Sequence, residues 1–298
     1  MDLISAMLPT PIQRLSNFIT ESAGVELYMK RDDLIHPTVS GNKWRKLKYN
    51  LLEAQTQGYH RIITFGGAFS NHLYATAAAG KVLGFETVGI VRGEELSEKL
   101  SPTLTFCKEQ GMQLHFVSRS EYRLRNSDDY LQEIAATFGQ PFIIPEGGTS
   151  ALALKGVAEM VPEVNLQLNR APGYFAVAAG TGGTAAGLLS AGANVLAFSA
   201  LKGGEFLKQD INNLLNDYHS PGRLQLLTDY HFGGYAKWNQ ELIEFMNGVQ
   251  QEFGIRLEQV YTAKMVFGLF DLINKGHFQK GTTIVAVHTG GLQGLLNA

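Results

Sequence analysis

The sequence predicts an α/β protein of two domains, in which each domain is an open, mostly parallel sheet with helices on both faces. Three observations support this fold class. The chain has 298 residues, which is long for one domain. Short apolar runs alternate with helical patterns along most of it, and glycine-rich loops follow several of these runs. We place the boundary near residue 150, with a smaller domain of residues 48–150 and a larger domain of residues 1–47 plus 151–298.

The predicted elements alternate in both halves of the chain. Residues 1–30 look irregular, because Pro9 and Pro11 interrupt any early helix, and only 25–29 is strand-like. In the first half, an amphipathic helix begins near Lys43, strands are predicted at 61–65, 86–91, 113–117 and 141–144, and helices at 71–84, 102–110 and 128–138. In the second half, strands are predicted at 173–178, 194–198 and 283–288, and helices at 151–168, 184–191, 205–217, 237–253 and 264–274.

Composition restricts the classes of function. The chain is 45% hydrophobic and 17% charged with a formal net charge of −2, which is typical of a soluble globular protein and gives no reason to expect a nucleic-acid or membrane partner. Cys107 is the only cysteine, so no internal disulfide or multi-cysteine metal site can form. The histidines show no metal-binding spacing, and we expect no metal. Without a leader-like segment or a membrane-length apolar run, we expect a cytoplasmic protein.

The start of the first long helix carries an unusual concentration of positive charge. Four cations, Lys43, Arg45, Lys46 and Lys48, occupy six positions after Ser40-Gly41. The N-terminus of a helix is the positive end of its dipole, so carboxylates are expected there and cations are not. An anionic ligand would explain the pattern. The alternative is a solvated basic face in which Lys43 is one more surface lysine.

Three glycine-rich loops, at residues 66–70, 147–150 and 180–184, follow strands or precede helices, where open α/β sheets bind ligands. The loop Gly180-Thr181-Gly182-Gly183-Thr184 could hold a phosphate through its backbone N–H groups and the helix dipole. It also satisfies a dinucleotide fingerprint with Ala185 in third place, although no acidic residue ends the next strand. A tight strand-to-helix turn is a third interpretation.

Ser70-Asn71-His72 opens the helix that follows the first of these loops. Ser70 could simply be the N-cap of the helix, or it could present its hydroxyl to a ligand beside the amide of Asn71. We interpret His72 as a structural or hydrogen-bonding residue. Ser70 lacks the Gly-x-Ser-x-Gly context of many hydrolases.

Taken together, these motifs resemble a known family. The resemblance is to the 1-aminocyclopropane-1-carboxylate deaminase and D-cysteine desulfhydrase family of pyridoxal-phosphate (PLP) enzymes, which have fold type II, the fold of the tryptophan synthase β-subunit. It runs in order from about Pro9 to the C-terminus. The matching motifs are Ser40-Gly41-Asn42-Lys43-x-Arg45-Lys46-Leu47, Ser70-Asn71-His72, Glu146-Gly147-Gly148, the 180–184 loop, Val260-Tyr261-Thr262-x-Lys264-Met265 and His288-Thr289-Gly290-Gly291.

The resemblance implies a role for each matching residue. Lys43 would form the Schiff base with PLP, since a partly desolvated amine beside other cations stays nucleophilic at neutral pH. Lys46 and residues Gly180, Thr181, Gly182, Gly183 and Thr184 would hold the phosphate, Asn71 the ring hydroxyl and Thr262 the pyridine nitrogen. Ser70, Asn71, His72, Gly148 and Thr289 would contact the substrate, and Ser70 could take part in proton transfer. Tyr235 and Tyr261 match two family tyrosines near the substrate; apart from the resemblance, core packing explains both.

Departures from the family pattern bear on the substrate. The deaminase pattern of the family reads Val-Tyr-Glu and His-Leu-Gly-Gly. This chain has Thr262 in place of the glutamate and Thr289 in place of the leucine, and in both it resembles the desulfhydrases. A hydroxyl leaves the pyridine nitrogen neutral, which suffices to eliminate a good leaving group such as thiolate. Two further positions differ from the family pattern. The chain has Leu73-Tyr74 where Thr-Arg is usual, and residues 236–239 replace the usual Gly-Leu-Pro-Asn. Both differences leave the identity of the substrate open.

The sequence therefore predicts a PLP-dependent α,β-elimination or deamination of a small amino acid. The favoured reaction is that of a D-cysteine desulfhydrase, which gives an α-keto acid, ammonia and sulfide. The close alternative is 1-aminocyclopropane-1-carboxylate deaminase. A distant one is a nucleotide or dinucleotide-binding protein that uses residues 180–184, and a member that binds the cofactor without efficient catalysis is a further possibility. The resemblance also implies a homodimer.

Overall fold

Two separate sheets form the frame of the protein. The computed structural model describes residues 5–216, 218–219 and 222–295. In these ranges a six-stranded sheet has the order β1-β2-β10-β7-β8-β9, and a four-stranded sheet has the order β5-β4-β3-β6. The strands are β1 (Ile12–Leu15), β2 (Glu26–Lys30), β3 (Arg61–Gly66), β4 (Glu86–Arg92), β5 (Gln113–Val117), β6 (Phe142–Ile144), β7 (Tyr174–Ala179), β8 (Val195–Ser199), β9 (Leu224–Leu227) and β10 (Thr283–Val287).

All strand pairs are parallel except β1 with β2. The carboxyl ends of neighbouring strands therefore meet at one edge of each sheet, where ligands of α/β proteins bind. The helices are α1 (Phe18–Ala23), α2 (Asn42–Thr56), α3 (Asn71–Leu83), α4 (Pro102–Glu109), α5 (Arg119–Tyr122), α6 (Asp128–Thr137), α7 (Ala151–Ala158), α8 (Met160–Leu168), α9 (Gly183–Ser190), α10 (Leu207–Leu214), α11 (Gln240–Phe253) and α12 (Thr262–Asn274).

Apolar clusters on both faces of the sheets confirm the predicted fold class. In the larger sheet, one cluster joins the β-strands to α11 and α12, and a second joins them to α7, α8, α9 and α10. In the smaller sheet, one face packs against α2 and α3 and the other against α6. The smaller sheet uses residues 61–144 and the larger sheet takes its strands from both sides of that segment. The exact domain boundaries, 48–150 against 1–47 plus 151–298, stay a prediction.

The N-terminal segment is more ordered than predicted. Residues 1–30 were expected to be irregular up to residue 25, yet within them β1 pairs with β2, and α1 follows. The Asn17 side chain caps α1 and Thr20 bonds back to the Asn17 backbone, while Gly24 ends the helix with φ of 64°. The capping box stabilises a helix too short to show periodicity. Strand β9, which we also missed, has only four half-buried residues.

Two predicted helices differ in their limits. The predicted helix 151–168 is interrupted at Glu159, between α7 and α8. The predicted helix 205–217 begins as a short 3₁₀ turn, and its regular part is Leu207–Leu214. The predicted end at Asp217 lies outside the described residues.

Helix α2 approaches α7 so closely that one position must be glycine. A methyl group built on Gly156 of α7 would lie 2.0 Å from the Arg45 carbonyl oxygen in α2. The contact is with backbone, which cannot swing away as a side chain can. This contact fixes α2 against the larger sheet, because α7 packs in the core of that sheet.

Buried ion pairs tie the same helix to the strand region. Arg45 is fully buried, and its Nε and Nη2 donate to Asp32 at 2.6 and 2.9 Å. Nη1 and Nη2 also donate to Glu163 of α8, both at 3.0 Å. Lys30 of β2 donates to Glu163 at 2.5 Å. A buried charge without its partner is costly, so these pairs hold α2 in one orientation.

We expect Gly156→Ala to destabilise the protein by about 1 to 3 kcal/mol, because the new methyl group overpacks against the α2 backbone. Gly248→Ala in α11 is the matched control, since nothing lies within 4 Å of a methyl group there. That change should stabilise the helix by about 0.5 to 1 kcal/mol. Urea unfolding followed by circular dichroism measures both, and equal shifts of the two midpoints would contradict the close contact.

We expect Asp32→Ala to destabilise the protein by about 3 to 5 kcal/mol, since it leaves the buried Arg45 with one carboxylate partner instead of two. Glu86→Ala breaks the exposed pair with Arg61 and should cost no more than about 1 kcal/mol. Both are read from the same unfolding measurement. Similar losses for the two variants would show that burial of the Arg45 pair has little effect.

Candidate active site

The start of α2 lies against the carboxyl edge of β10. Its N-cap, Gly41, has φ of 64°, and a methyl group there would lie 1.9 Å from the Thr289 carbonyl oxygen. Only glycine allows this approach. On the neighbouring side, Asn42 Nδ2 donates to Thr184 Oγ1 at 2.8 Å. The first turn of α2 is therefore fixed between the Thr289 loop and the 180–184 loop.

Lys43 has a free amine at this position. Within the described part of the chain it has no hydrogen-bond or ion-pair partner, although its side chain is only partly exposed. Burial lowers the pKa of its amine to about 8. A substantial fraction of Lys43 is therefore neutral, and hence nucleophilic, near physiological pH.

The other three cations do not form a solvated basic face. Arg45 is buried in its ion pairs, which raise the pKa of its guanidinium. Lys46 is buried, and its Nζ donates to the Gly147 carbonyl at 3.1 Å and to Thr149 Oγ1 at 3.3 Å. Burial, and then the nearby charge of Lys43, hold the pKa of Lys46 well below its ordinary value. Lys48 alone is partly exposed, paired with Glu159 at 2.7 Å.

The 180–184 loop faces Lys46. Gly182, at φ of 75°, precedes α9 and leaves the helix without a side-chain cap. A methyl group on Gly183 would lie 2.8 Å from Lys46 Nζ and 2.7 Å from Thr149 Oγ1. Thr149 and Thr181 join their hydroxyls at 2.8 Å. Uncapped N–H groups, two hydroxyls and an ammonium thus border one small space.

These groups fit a phosphate ester. The first N–H groups of a helix are unsatisfied donors at its positive end, and Lys46 adds a cation where its burial is otherwise unfavourable. Lys43, one turn before Lys46, lies close enough for its charge to affect that lysine. The site can therefore hold a phosphate and present a nucleophilic amine to the same molecule. Both are what PLP requires.

The start of α3 brings Ser70 and Asn71 to the edge of the smaller sheet. Ser70 is the N-cap of α3 and accepts from the Leu73 N–H at 3.2 Å. The side-chain Oδ1 of Asn71 accepts from Gln293 Nε2 at 2.7 Å, which leaves the Nδ2 of the same amide as a donor. A methyl group on Gly291 would lie 2.9 Å from that Nδ2. Asn71 therefore contacts the loop that follows β10.

His72 is buried beneath this edge. Thr64 donates its hydroxyl hydrogen to the Ile144 carbonyl, so His72 Nε2, at 2.8 Å from Thr64 Oγ1, must be the donor of that pair. Its Nδ1 has no hydrogen-bond partner in the described ranges. Burial and the charges of Lys43 and Lys46 hold its pKa well below the ordinary value, so the ring is neutral. A methyl group on Gly148 would lie 2.9 Å from its Cε1.

Tyr235 and Tyr261 meet edge to face, with ring centroids 6.1 Å apart. Tyr261 is the N-cap of α12, and a methyl group on Gly180 would lie 3.0 Å from its Cε1. Burial raises the pKa of both phenols, so both are neutral donors at physiological pH. Tyr261 thus packs against the 180–184 loop. The Tyr235 side chain is 43% exposed.

Thr262 is fully buried and bonded to Glu258. Its hydroxyl accepts from the Glu258 N–H at 2.9 Å and lies 3.3 Å from the Glu258 carbonyl. The Glu258 carboxylate accepts from the N–H groups of residues 260, 261 and 262 at 2.6 to 2.8 Å. Burial raises the pKa of Glu258 to about 7 in spite of these bonds. The predicted contacts of Thr262 with a pyridine nitrogen and of Thr289 with a substrate stay predictions.

Sequence reasoning missed several residues of the site. Asn42, Glu258 and Gln293 contact predicted residues, and the Arg92 guanidinium would lie 3.4 Å from a methyl group on Gly67, beside the turn that carries Ser70. For Glu258 a signal existed, since an acidic residue just before a helix stabilises its positive end. Gln293 gave none, because its contact joins distant parts of the chain, and Arg92 gave none, because its approach to Gly67 depends on the pairing of β4 with β3.

Two general features complete the description. In the described ranges, no group of three or more His, Cys, Asp or Glu residues is placed to hold a metal ion. None of the helices described is long and apolar enough to cross a membrane.

Known proteins share this sequence and this fold. The chain matches the family described as "Pyridoxal-phosphate dependent enzyme" over residues 4–290. It is 33% identical to a putative 1-aminocyclopropane-1-carboxylate deaminase of Pyrococcus horikoshii, covering 96% of this chain and 90% of the relative. It is 34% identical to a bifunctional D-cysteine desulfhydrase/1-aminocyclopropane-1-carboxylate deaminase, mitochondrial, of Arabidopsis thaliana, covering 97% and 78%.

A crystal structure of a homologue of 1-aminocyclopropane-1-carboxylate deaminase superposes with a TM-score of 0.82 at 32% identity, covering 96% of this chain and 90% of the other. The predicted fold type II is thereby confirmed, as are the predicted cofactor and the resemblance to this group of proteins. The free amine of Lys43, beside a loop suited to a phosphate, has the chemistry that such a cofactor needs. The chain belongs to the family of pyridoxal-phosphate-dependent enzymes.

Proposed function

We propose that the protein catalyses α,β-elimination from a small amino acid, D-cysteine or a close relative, giving an α-keto acid, ammonia and sulfide with the uptake of one water. The observation that carries this proposal is the unpartnered Lys43 amine, with its pKa of about 8, beside Lys46 and the 180–184 loop. When bound, PLP supplies the electron sink for loss of the α-proton and of the β-substituent.

The residues of the chain have separate tasks in this proposal. Lys46, Thr181 and the backbone at Gly180, Gly182, Gly183 and Thr184 hold the phosphate. Lys43 would anchor the cofactor and, once freed by the amino group of the substrate, would act as the base, because its lowered pKa lets it accept and return a proton at Nζ. Asn71 donates from Nδ2 to the ring hydroxyl.

The substrate carboxylate meets the start of α3. Ser70 and Asn71 present a hydroxyl and N–H groups at the positive end of that helix, with Gly148 and Thr289 at its borders. His72 is a neutral, buried ring beneath the start of α3, and it holds the first turn of that helix in place. Tyr235 and Tyr261 face this position as neutral phenols, which can donate a proton to a departing group but cannot act as bases at physiological pH.

The side chain at residue 262 favours elimination of thiolate. A carboxylate at this position would protonate the pyridine nitrogen and deepen the electron sink, whereas the Thr262 hydroxyl carries no charge. The close alternative is deamination of 1-aminocyclopropane-1-carboxylate, supported by the names of the relatives in Pyrococcus and Arabidopsis. Membership of a PLP family favours a cofactor phosphate over a dinucleotide at the 180–184 loop.

Two further properties belong to the proposal. We infer a homodimer from the family resemblance, which size-exclusion chromatography with light scattering would test. We also infer a cytoplasmic location, which is consistent with the one free and buried cysteine, Cys107, in the chain. The two-domain division at residues 47 and 150 is retained as part of the same proposal.

The first experiment measures the absorbance of the purified protein with added PLP, before and after D-cysteine. We expect a cofactor band in the wild type that is absent in Lys43→Ala, and that changes on D-cysteine with release of sulfide. Lys48→Ala is the control, because that lysine pairs with Glu159 away from the loop. It should keep the band and the sulfide release.

The outcomes separate the alternatives. Ammonia and α-ketobutyrate from 1-aminocyclopropane-1-carboxylate, with no sulfide from D-cysteine, would replace the proposed reaction by the close alternative. A Lys43-dependent band that neither compound changes would keep the cofactor and reject both substrates. An unchanged band in Lys43→Ala would overturn the role of Lys43.

A second prediction concerns the ionisation of Lys43. In the protein without cofactor, its acetylation by acetic anhydride should rise as pH passes through about 8, because only the neutral amine reacts and burial lowers its pKa to that value. An exposed lysine would instead titrate at about 10.4. Peptide mass spectrometry measures the extent of labelling, with Lys43→Arg to identify the peptide. A midpoint near the ordinary value would contradict the lowered pKa.

A further inference from the structure

A second lysine occupies a helix N-terminus in this protein. Lys264 lies in the first turn of α12, where the helix dipole disfavours a cation, and it is only 1% exposed. Burial of an ammonium group is also unfavourable unless its N–H groups are bonded. The position is therefore costly, and the contacts of Lys264 must explain it.

The amine of Lys264 binds the two ends of one turn. Its Nζ donates to the His231 carbonyl at 2.9 Å and to the Gly234 carbonyl at 2.8 Å. The Gly234 N–H also donates to the His231 carbonyl at 3.0 Å, and the Lys237 N–H to the Gly234 carbonyl at 3.1 Å. Lys264 thus supplies a second donor to each carbonyl that closes the turn. Tyr235 is the next residue of this turn.

The backbone around Tyr235 is held in an uncommon conformation. Positive φ angles occur at Phe232 (51°), Gly233 (92°), Gly234 (118°) and Ala236 (52°). Phe232 and Ala236 are not glycines, and such residues seldom adopt the left-handed region unless surrounding contacts impose it. The Lys264 bonds are contacts of this kind.

The turn determines where the Tyr235 phenol lies. The side chain is 43% exposed, so packing alone does not immobilise it, and its main described ring contact is Tyr261 at 6.1 Å between centroids. Tyr261 is itself set against Gly180. Tyr261 is therefore fixed by α12 directly, whereas the position of Tyr235 depends on its turn and on its contact with Tyr261.

We propose that Lys264 is a positioning residue, which holds the Tyr235 phenol at the active site by bonding the His231 and Gly234 carbonyls. It touches neither substrate nor cofactor, and it acts through the backbone of the turn. Residues 261 to 264 at the start of α12 then set both tyrosines in the site. This inference rests on the proposed function for its kinetic consequence, but its structural part is independent of the reaction.

The structural part is tested by amide hydrogen exchange of the protein without substrate. Lys264→Met keeps the length and bulk of the side chain and removes its donors. Exchange of the peptide covering residues 231–237 should become about 10-fold faster or more, because the turn loses two of its bonds. Lys275→Met, at the other end of α12 with an exposed pair to Asp271, is the matched control and should leave this peptide unchanged. Unchanged exchange in Lys264→Met would overturn the inference.

The kinetic part uses a double-mutant cycle with Tyr235→Phe. We expect Lys264→Met to lower kcat by about 10- to 100-fold with the Lys43-dependent cofactor band intact, since a small displacement of a reacting group has effects of this size. In the Tyr235→Phe background the same change should have little further effect, because the phenol it positions is already gone. Full additivity of the two losses would overturn the inference.

Two further outcomes are distinguishable. If Lys264→Met does not fold, Lys264→Gln replaces it in both measurements. Its amide nitrogen is one bond nearer the backbone than Nζ and cannot reach both carbonyls, so the same results count for or against. If the wild type acts on neither D-cysteine nor 1-aminocyclopropane-1-carboxylate, the proposed reaction fails. Hydrogen exchange then still decides whether Lys264 holds the turn.

Discussion

The buried ion pairs of Arg45 are the constraint on which the site depends. Arg45 lies between Lys43 and Lys46 on α2, and those two lysines, three residues apart, share one face of the helix. Because Arg45 is bound to Asp32 and Glu163 with no exposure to water, α2 cannot rotate without breaking charged bonds in the interior. Buried ion pairs add little net stability compared with apolar packing, and their best-attested use is to specify one arrangement. Here that arrangement directs Lys43 and Lys46 toward the 180–184 loop.

The distribution of charge around α2 agrees with this interpretation. Arg45 and Lys30 are matched by Asp32 and Glu163, and Lys48 is matched by Glu159. Lys43 and Lys46 have no carboxylate partner in the described parts of the chain. Burial lowers the pKa of both amines, and the charge of Lys43 lowers the pKa of Lys46 further. An anion between Lys46 and the start of α9 would relieve that cost, whereas a carboxylate built into the protein would remove the reason for binding one. The site is therefore prepared for a phosphate by the charge that the protein leaves uncompensated.

The sequence predicted the parts of the fold that depend on local pattern. The parallel strands from β3 to β8 and β10 are apolar runs bounded by glycine or proline, so their limits were found within a few residues. Strands β1 and β9 and helix α1 were missed because each is four to six residues long and depends on a neighbour or a cap. In the candidate site, Lys43 and Lys46 stood out because cations at a helix start conflict with the helix dipole, and the glycine loops because they follow strands or precede helices. Asn42 and Gln293 were not, because a polar side chain carries no sign in the sequence of a partner more than a hundred residues away. Arg92 was not either, because its approach to Gly67 depends on the pairing of β4 with β3.

The candidate site is assembled mainly from the starts of four helices. The Lys43 amine lies at the start of α2, the 180–184 loop precedes α9, and Ser70 and Asn71 lie at the start of α3. Tyr261 lies at the start of α12, and Tyr235 in the 231–237 turn. In α2 and α9 the first turn lacks a side-chain cap, and glycine stands at the N-cap. At the start of α12 the Glu258 carboxylate accepts from the N–H groups of Tyr261 and Thr262 instead. A self-capped helix satisfies its own N–H groups and has none to offer, while an uncapped one presents donors and a positive potential. Helix α3 is capped too, because the Ser70 hydroxyl accepts from the Leu73 N–H. Because a hydroxyl can donate to a carboxylate while it accepts from a backbone N–H, the cap can remain in place when the substrate binds.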